Sequence, residues 1–340
     1  MGFRFFRRFK IAPGMTLNMS KSGPSLSFGP RGFKYTLGPK GTRKTFGIPG
    51  TGLYYTITSG WGKEQSSPAR AAPASAPPSL SLGFFSKIFI PSEDRKMVAG
   101  LKQFLSGNID EAYLTFRSNP EFVDSVFMTG FLSLGRNLFQ EAEAAFLKCQ
   151  RAVSDLGKGI QKYLSGFRLS LQITEYIDAL IDVDARGLLL ALTEARQKQG
   201  KFEEASRDVA SILNNDSNDM VICLSWCEMI VTSPAATESD LYDLLQRTSA
   251  IKNEAPIYTN LLYLRGAAMY RLQLADAAIQ QLSVALRKKI NRPDALLQQI
   301  RYLRGRIYEQ QGQRKRARKD YELVFAENPL FKDVAQRLGP

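Results

Sequence analysis

A spacing of twelve residues between a small residue and an alanine recurs along most of this chain, and a bulky side chain follows four residues later. This spacing indicates pairs of antiparallel helices, because small residues let two backbones approach and a large side chain fills the groove beside them. The sets are Gly100, Ala112 and Phe116; Gly130, Ala142 and Phe146; Thr193, Ala205 and Val209; Gly266, Ala278 and Leu282; and Gly305, Ala317 and Tyr321.

From about residue 92 onward, apolar residues recur at intervals of three and four, which predicts helices throughout. The gaps between sets leave room for two degenerate hairpins, near residues 156–183 and 218–249. We therefore expect an all-α solenoid of about seven hairpins over residues 92–335.

The last two copies, YLRGAAMYRLQLADAAIQQLSVAL and YLRGRIYEQQGQRKRARKDYELVF, resemble tetratricopeptide repeats. The resemblance implies a concave face that binds a protein partner. The family's two-carboxylate clamp is not reproduced, because Tyr263 and Ala267 stand at its lysine and asparagine positions. The inward positions implied by the alignment are Asn260, Tyr263, Ala267, Tyr270, Arg271, Gln299, Tyr302, Arg306, Glu309 and Gln310. Those expected to contact a partner are Tyr263, Tyr270, Arg271, Tyr302 and Arg306; the alternative is that they only solvate the groove.

The first 60 residues carry a different repeat, in which glycines recur every nine residues, as in SGPSLSFGP, RGFKYTLGP and KGTRKTFGI. Glycine marks turns, and the runs between them are rich in β-branched and aromatic residues, which predicts strands. A small antiparallel β-meander and a parallel β-solenoid both fit this step, and the G-P-x-G loops favour the meander. In that arrangement Phe28 lies opposite Phe33, and Leu26 opposite Tyr35.

One copy of this repeat, GPKGTRKT, imitates a phosphate-binding loop. Such a loop needs glycine where Arg43 stands, and it must open a helix. Because strand and turn residues follow here, we do not expect a nucleotide site.

The same 60 residues contain ten Lys or Arg and no Asp or Glu, whereas the remainder of the chain is almost balanced. A basic sheet face suits an anionic partner, and solubility alone is the alternative reading. The residues expected to contact the anion are Arg31, Lys34, Lys40, Arg43 and Lys44. The opposite, apolar face needs a cover. It could be residues 3–11, LGFFSKIFI, the first helical hairpin, or a second copy of the module and hence a homo-oligomer.

The elements MGFRF, SKSG and PGTGL within residues 1–57 resemble a bacterial N-terminal module known only as domain-of-unknown-function family 4236. The resemblance implies a bacterial or phage-borne intracellular protein. It implies no activity.

Residues 61–91 separate the two repeat regions. GKEQSSPARAAPASAPPSLS has the composition of a semi-extended linker, and LGFFSKIFI is an apolar segment too short to span a membrane. We expect that segment to dock on the protein, with shallow membrane attachment as the alternative. The predicted organisation is thus a basic β-module (1–60), a linker (61–91) and a helical solenoid (92–335), an α+β chain of separate domains.

Composition excludes several chemistries. The chain has no histidine, which removes the commonest acid–base group and metal ligand. Its three cysteines form no disulfide framework, and Cys223 and Cys227 are expected to be buried core residues. We therefore predict no catalytic, cofactor or metal residue and no enzyme activity. The expected location is cytoplasmic, with attachment to the inner membrane as an alternative.

These observations favour a non-enzymatic adaptor, in which the helical repeats bind a protein partner and the basic module binds an anionic partner or surface. The first alternative is a nucleic-acid-binding protein that uses the basic β-face. The second is peripheral attachment to an anionic membrane through FRFFRRFKI and LGFFSKIFI.

Overall fold

A computed structural model of the chain describes residues 91–339 except 93, 165 and 216–218, and in the first 60 residues it describes the backbone of six strands. Side chains are described from residue 91 onward, apart from those at 211, 212, 214 and 215. The chain divides into two compact units. One contains Met1–Leu171 and Ala179–Gln199, and the other contains Gln172–Asp178 and Gly200–Pro340.

The strands of the first 60 residues each pair antiparallel with the next along the chain. They are β1 (Arg7–Ala12), β2 (Met15–Ser20), β3 (Gly23–Phe28), β4 (Phe33–Gly38), β5 (Gly41–Gly47) and β6 (Tyr54–Gly60).

The predicted register between β3 and β4 is wrong by two residues. Phe28 pairs with Tyr35, and Leu26 pairs with Leu37.

The first unit continues with α1 (Arg95–Leu105), α2 (Ile109–Arg117), α3 (Val123–Gly135), α4 (Phe139–Gln150), α5 (Lys158–Tyr163), β7 (Arg168–Gln172), β8 (Asp178–Asp182) and α6 (Ala185–Lys198). Helix α1 packs against α2, and α3 packs against α4. The predicted helical hairpins are confirmed here.

The predicted helical hairpin near residues 156–183 is wrong. The short helix α5 and the β-hairpin β7–β8 stand there instead. The reason is visible in the segment RLSLQI, where polar and apolar residues alternate. On β8, Ala179 and Ile181 are buried, whereas Asp178 and Leu180 are exposed. This period of two belongs to a strand.

The second unit contains α7 (Phe202–Asn215), α8 (Met220–Thr232), α9 (Glu238–Arg247), α10 (Pro256–Arg271), α11 (Ala275–Ala285), α12 (Asp294–Gln310), α13 (Arg314–Glu327) and α14 (Val334–Leu338). The hairpin predicted near residues 218–249 is confirmed as α8 and α9. Consecutive helices from α7 to α14 pack against one another.

Four of the predicted small-residue sets form the same close contact between two helices. A Cβ atom added to Gly100 would lie 2.6 Å from Cε1 of Phe116, and one added to Gly305 would lie 2.7 Å from Cε1 of Tyr321. Real Cβ atoms do not approach other heavy atoms so closely. The other two contacts join Gly130 to Phe146 and Gly266 to Leu282. The glycine therefore makes room for the large side chain, as the spacing predicts.

Gly100→Ala is expected to lower the free energy of unfolding by about 1–3 kcal/mol, because the added methyl group would overlap the buried Phe116 ring. Helix propensity alone would favour alanine by about 1 kcal/mol. Urea unfolding monitored by circular dichroism measures the change. The double variant Gly100→Ala, Phe116→Leu should lose less stability than the sum of its single variants. Strict additivity would contradict the contact.

Candidate functional site

The groove residues predicted from the repeats lie on two helices of the second unit, and these helices belong to neighbouring repeats. Asn260, Tyr263, Ala267, Tyr270 and Arg271 belong to α10; Gln299, Tyr302, Arg306, Glu309 and Gln310 belong to α12.

A chain of hydrogen bonds joins these two helices. The Lys332 ammonium donates a hydrogen bond to Oε1 of Gln299 at a distance of 2.6 Å. In turn, Nε2 of Gln299 donates to the Tyr263 hydroxyl over 2.8 Å. With the buried Asn260 these residues make up the α10–α12 face, defined as Asn260, Tyr263, Gln299 and Lys332. It presents amide, phenol and ammonium groups side by side.

A non-helical segment of the same unit packs on this face. The segment is Gln172–Asp178, which we call the hairpin tip because it joins β7 to β8. Nδ2 of Asn260 donates to the Thr174 hydroxyl oxygen over 2.6 Å. The Tyr176 ring meets the Tyr263 ring edge-on, with centroids 6.3 Å apart and planes at 89°. The predicted residue Tyr263 therefore contacts part of its own chain.

Charges of both signs surround the two tyrosines. Burial raises the pKa of the Tyr263 phenol to about 12 and raises the pKa of Tyr176 as well. Glu175 raises the pKa of both phenols further. Burial lowers the pKa of Lys332; Glu175 opposes that shift and Arg306 adds to it. Both phenols therefore stay neutral at physiological pH and can serve as hydrogen-bond donors and acceptors.

Tyr302 is covered by the segment that follows α13. Its hydroxyl donates to Oδ1 of Asp333 over 2.6 Å, and its ring contacts Phe331 with centroids 5.7 Å apart. It belongs to a hydrophobic cluster with Tyr321 and Val334. At the far end of α10, the hydroxyl of the half-buried Tyr270 donates a hydrogen bond to Oε1 of Gln310 at 2.6 Å.

Arg271 contacts backbone at the end of α8. Its Nη1 atom donates hydrogen bonds to the carbonyls of Ile230, Val231 and Ser233, at distances of 2.8, 3.0 and 3.0 Å. Nη2 donates to the Ala236 carbonyl over 3.2 Å. Carbonyls at a helix C-terminus lack partners within the helix, and a cation suits that end of the helix dipole. These contacts identify a capping role that local sequence did not indicate.

Peptide contact by Tyr263, Tyr270, Arg271, Tyr302 and Arg306 stays a prediction. Sequence reasoning missed three residues: Thr174 and Tyr176, which contact the face, and Lys332, which is part of it. Only the strand-like alternation of residues 168–182 could have drawn attention to the first two.

The predicted anion-binding side chains lie outside the part of the chain whose side chains the structure describes. They are Arg31, Lys34, Lys40, Arg43 and Lys44, and they stay predictions, as do the apolar sheet face and the docking segment LGFFSKIFI.

Cysteines and acids in the described region form no candidate metal centre: no group of three or more Cys, Asp or Glu side chains there could hold an ion. Burial of Cys223 and Cys227 in the core is confirmed. None of the helices in the described residues has the length and apolar character needed to cross a membrane.

One family model matches the N-terminal part of the chain. Residues 3–56 match the model of a family described as "Protein of unknown function (DUF4236)". The resemblance of the N-terminal segment to that family is thereby confirmed. None of the curated proteins matches the chain in sequence.

Solved structures resemble the helical part. The N-terminal domain of the EccA1 ATPase, from the ESX-1 secretion system of Mycobacterium tuberculosis, is 13% identical with a TM-score of 0.55, over 73% of this chain and 88% of that one. TTC0263, a thermophilic TPR protein of Thermus thermophilus, is 15% identical with a TM-score of 0.41, over 64% and 96%. A tetratricopeptide repeat protein from Parabacteroides merdae is 11% identical with a TM-score of 0.37, over 73% and 97%. At these identities the likeness concerns the fold.

Arg271→Met is expected to lower the free energy of unfolding by about 1.5–3 kcal/mol, because the carbonyls at the end of α8 lose a charged donor. The matched control is Arg306→Met. Among the described residues Arg306 makes no hydrogen bond, so its replacement should change stability by less than about 0.5 kcal/mol. Urea unfolding compares the two variants, and equal losses would argue against the capping role.

Proposed function

We propose that this protein is a non-enzymatic adaptor whose helical repeats bind a protein partner through the α10–α12 face. The observation that carries the proposal is the hairpin tip itself, a non-helical segment held on that face by Asn260 and Tyr263. A surface that holds a turn of its own chain has the groups needed to hold a segment of another.

The chemistry of the face suits peptide recognition. Tyr263 offers a large, rigid ring whose hydroxyl is oriented by Gln299, and Gln299 is oriented in turn by Lys332. Such preorganisation lowers the entropy lost when a partner binds. Tyrosine is common among the residues that contribute most of the binding energy at protein interfaces.

The basic module is the second half of the proposal. We expect residues 1–60 to bind an anionic partner or surface, because ten cations without a carboxylate exceed what solubility requires. An adaptor of this kind would join the anionic partner to the protein held by the repeats. The buried cysteines, which form no disulfide, favour a reducing compartment such as the cytoplasm.

Photo-cross-linking tests the first half of the proposal. A benzophenone amino acid in place of Tyr270, in the full chain and in native cells, should produce a discrete protein cross-link. The control replaces Tyr242 on α9, a tyrosine of the same unit that is 55% exposed, whereas Tyr270 is half-buried. The cross-link is expected from position 270 alone. Absence of a product, or the same product from both positions, would contradict partner binding through α10.

Fluorescence anisotropy with a short DNA duplex as the polyanionic probe tests the second half. Arg43→Gln with Lys44→Gln in the full chain should weaken binding and reduce the slope of log affinity against log salt by about 2, close to 0.9 for each phosphate contact. Lys315→Gln with Lys319→Gln on α13 removes the same charge and should leave the slope unchanged. If the wild-type chain does not bind at low salt, nucleic acid is eliminated as the anion.

A further inference from the structure

The hairpin tip is a closed turn organised around one side chain. The Thr174 hydroxyl oxygen accepts hydrogen bonds from the backbone N–H groups of Tyr176 and Ile177, each with a donor–acceptor distance of 3.2 Å. Ile173 N–H donates to the Ile177 carbonyl over 2.9 Å. The same hydroxyl oxygen also accepts from Asn260. One threonine thus shapes the turn and attaches it to the α10–α12 face.

The tip leaves one group of the face unsatisfied. Oδ1 of Asn260 is buried and has no hydrogen-bond partner among the described residues. A buried acceptor without a donor is unfavourable, and most such groups in proteins are paired. A segment with an additional N–H group at this position would satisfy Asn260 better than the tip does. The contact of the tip with Asn260 thus uses the Nδ2 atom of the amide and not its oxygen.

The opposite side of the face is held in an uncommon backbone conformation. Lys332 has a φ of 47°, which residues other than glycine seldom adopt. This turn directs its ammonium group to Gln299, over the ring of Tyr302 at 5.0 Å from the centroid. Sparsely populated backbone conformations persist where the surrounding contacts enforce them, and they are frequent at binding sites.

From these contacts we infer that the hairpin tip is an intramolecular competitor of the protein partner, and that the partner presents a similar segment. Its recognition elements are a hydroxyl residue and, two positions later, a tyrosine, as Thr174 and Tyr176 are arranged in the tip. This inference rests on the proposed function, because it assigns a regulator and a ligand class to the same face. Partner binding would require the tip to leave the face.

The test uses the full chain and a fluorescent peptide that covers residues 170–180, closed by a disulfide between added terminal cysteines to keep the turn. A short-hairpin variant has Ile173–Ile177 replaced by Asn-Gly, a sequence that closes a two-residue turn. Anisotropy should show that this variant binds the peptide at least about tenfold more tightly than the wild type, in which the tip occupies the face. A peptide with Tyr176→Ala should bind neither protein.

Two results would overturn the inference. One is a short-hairpin variant that unfolds cooperatively and yet does not bind the peptide. The other is equal binding to variant and wild type, which would place the peptide on a different surface.

Point variants keep the test decisive if the short-hairpin variant does not fold. Tyr176→Ala in the full chain removes the contact with Tyr263 and should increase peptide affinity. Leu180→Ala is the matched control, because Leu180 lies on β8 and is 48% exposed. No gain from Tyr176→Ala relative to this control would reject the competitor role.

The two proposals fail in distinguishable ways. If the cross-link from position 270 forms but the peptide never binds, the adaptor function stands and the tip is only structural. If the peptide binds the short-hairpin variant but no cross-link forms, the face recognises its own tip and the adaptor function falls.

Discussion

The close approach of two helix backbones at a glycine is the contact on which the helical part depends. At Gly100, Gly130 and Gly305 an aromatic ring occupies the place of a side chain, and at Gly266 a leucine does so. Burying such a side chain contributes about 1.5–3 kcal/mol. Each of these hairpins gains this stabilisation. It does so only if its two helices lie at the distance and in the register that place the large side chain over the glycine.

That regular separation is what builds the α10–α12 face. Because the two helices belong to consecutive hairpins, Gln299 reaches Tyr263 and orients its hydroxyl. The hairpin tip then supplies a third layer of contacts through Thr174 and Tyr176. Residues Ile173, Thr174 and Ile177 of this segment are buried. The proposed competition therefore requires a local opening in which the segment leaves the face while the helices stay folded.

Much of the helical part could be predicted because the residues that form each helix pair lie at a fixed, short spacing in the sequence. The spacing from glycine to alanine to aromatic residue predicted the close contacts correctly, including that of Gly305 with Tyr321. The β-hairpin was missed because its alternating segments are short. The alternation in RLSLQI covers only six residues, and the helical residues on either side favoured the wrong choice. The family resemblance of residues 3–56 was likewise readable from local motifs.

Local sequence was enough to specify that antiparallel helix pairs form and which glycines permit them, because backbone approach within a hairpin depends on residues at a fixed short spacing. What those helices present to their surroundings was settled by packing between distant elements. Packing brought Arg271 to carbonyls 35–41 residues away in the chain and Asn260 to a threonine 86 residues away. No local pattern couples such residues, because a polar side chain bonds to whichever group the packing of separate elements brings within reach.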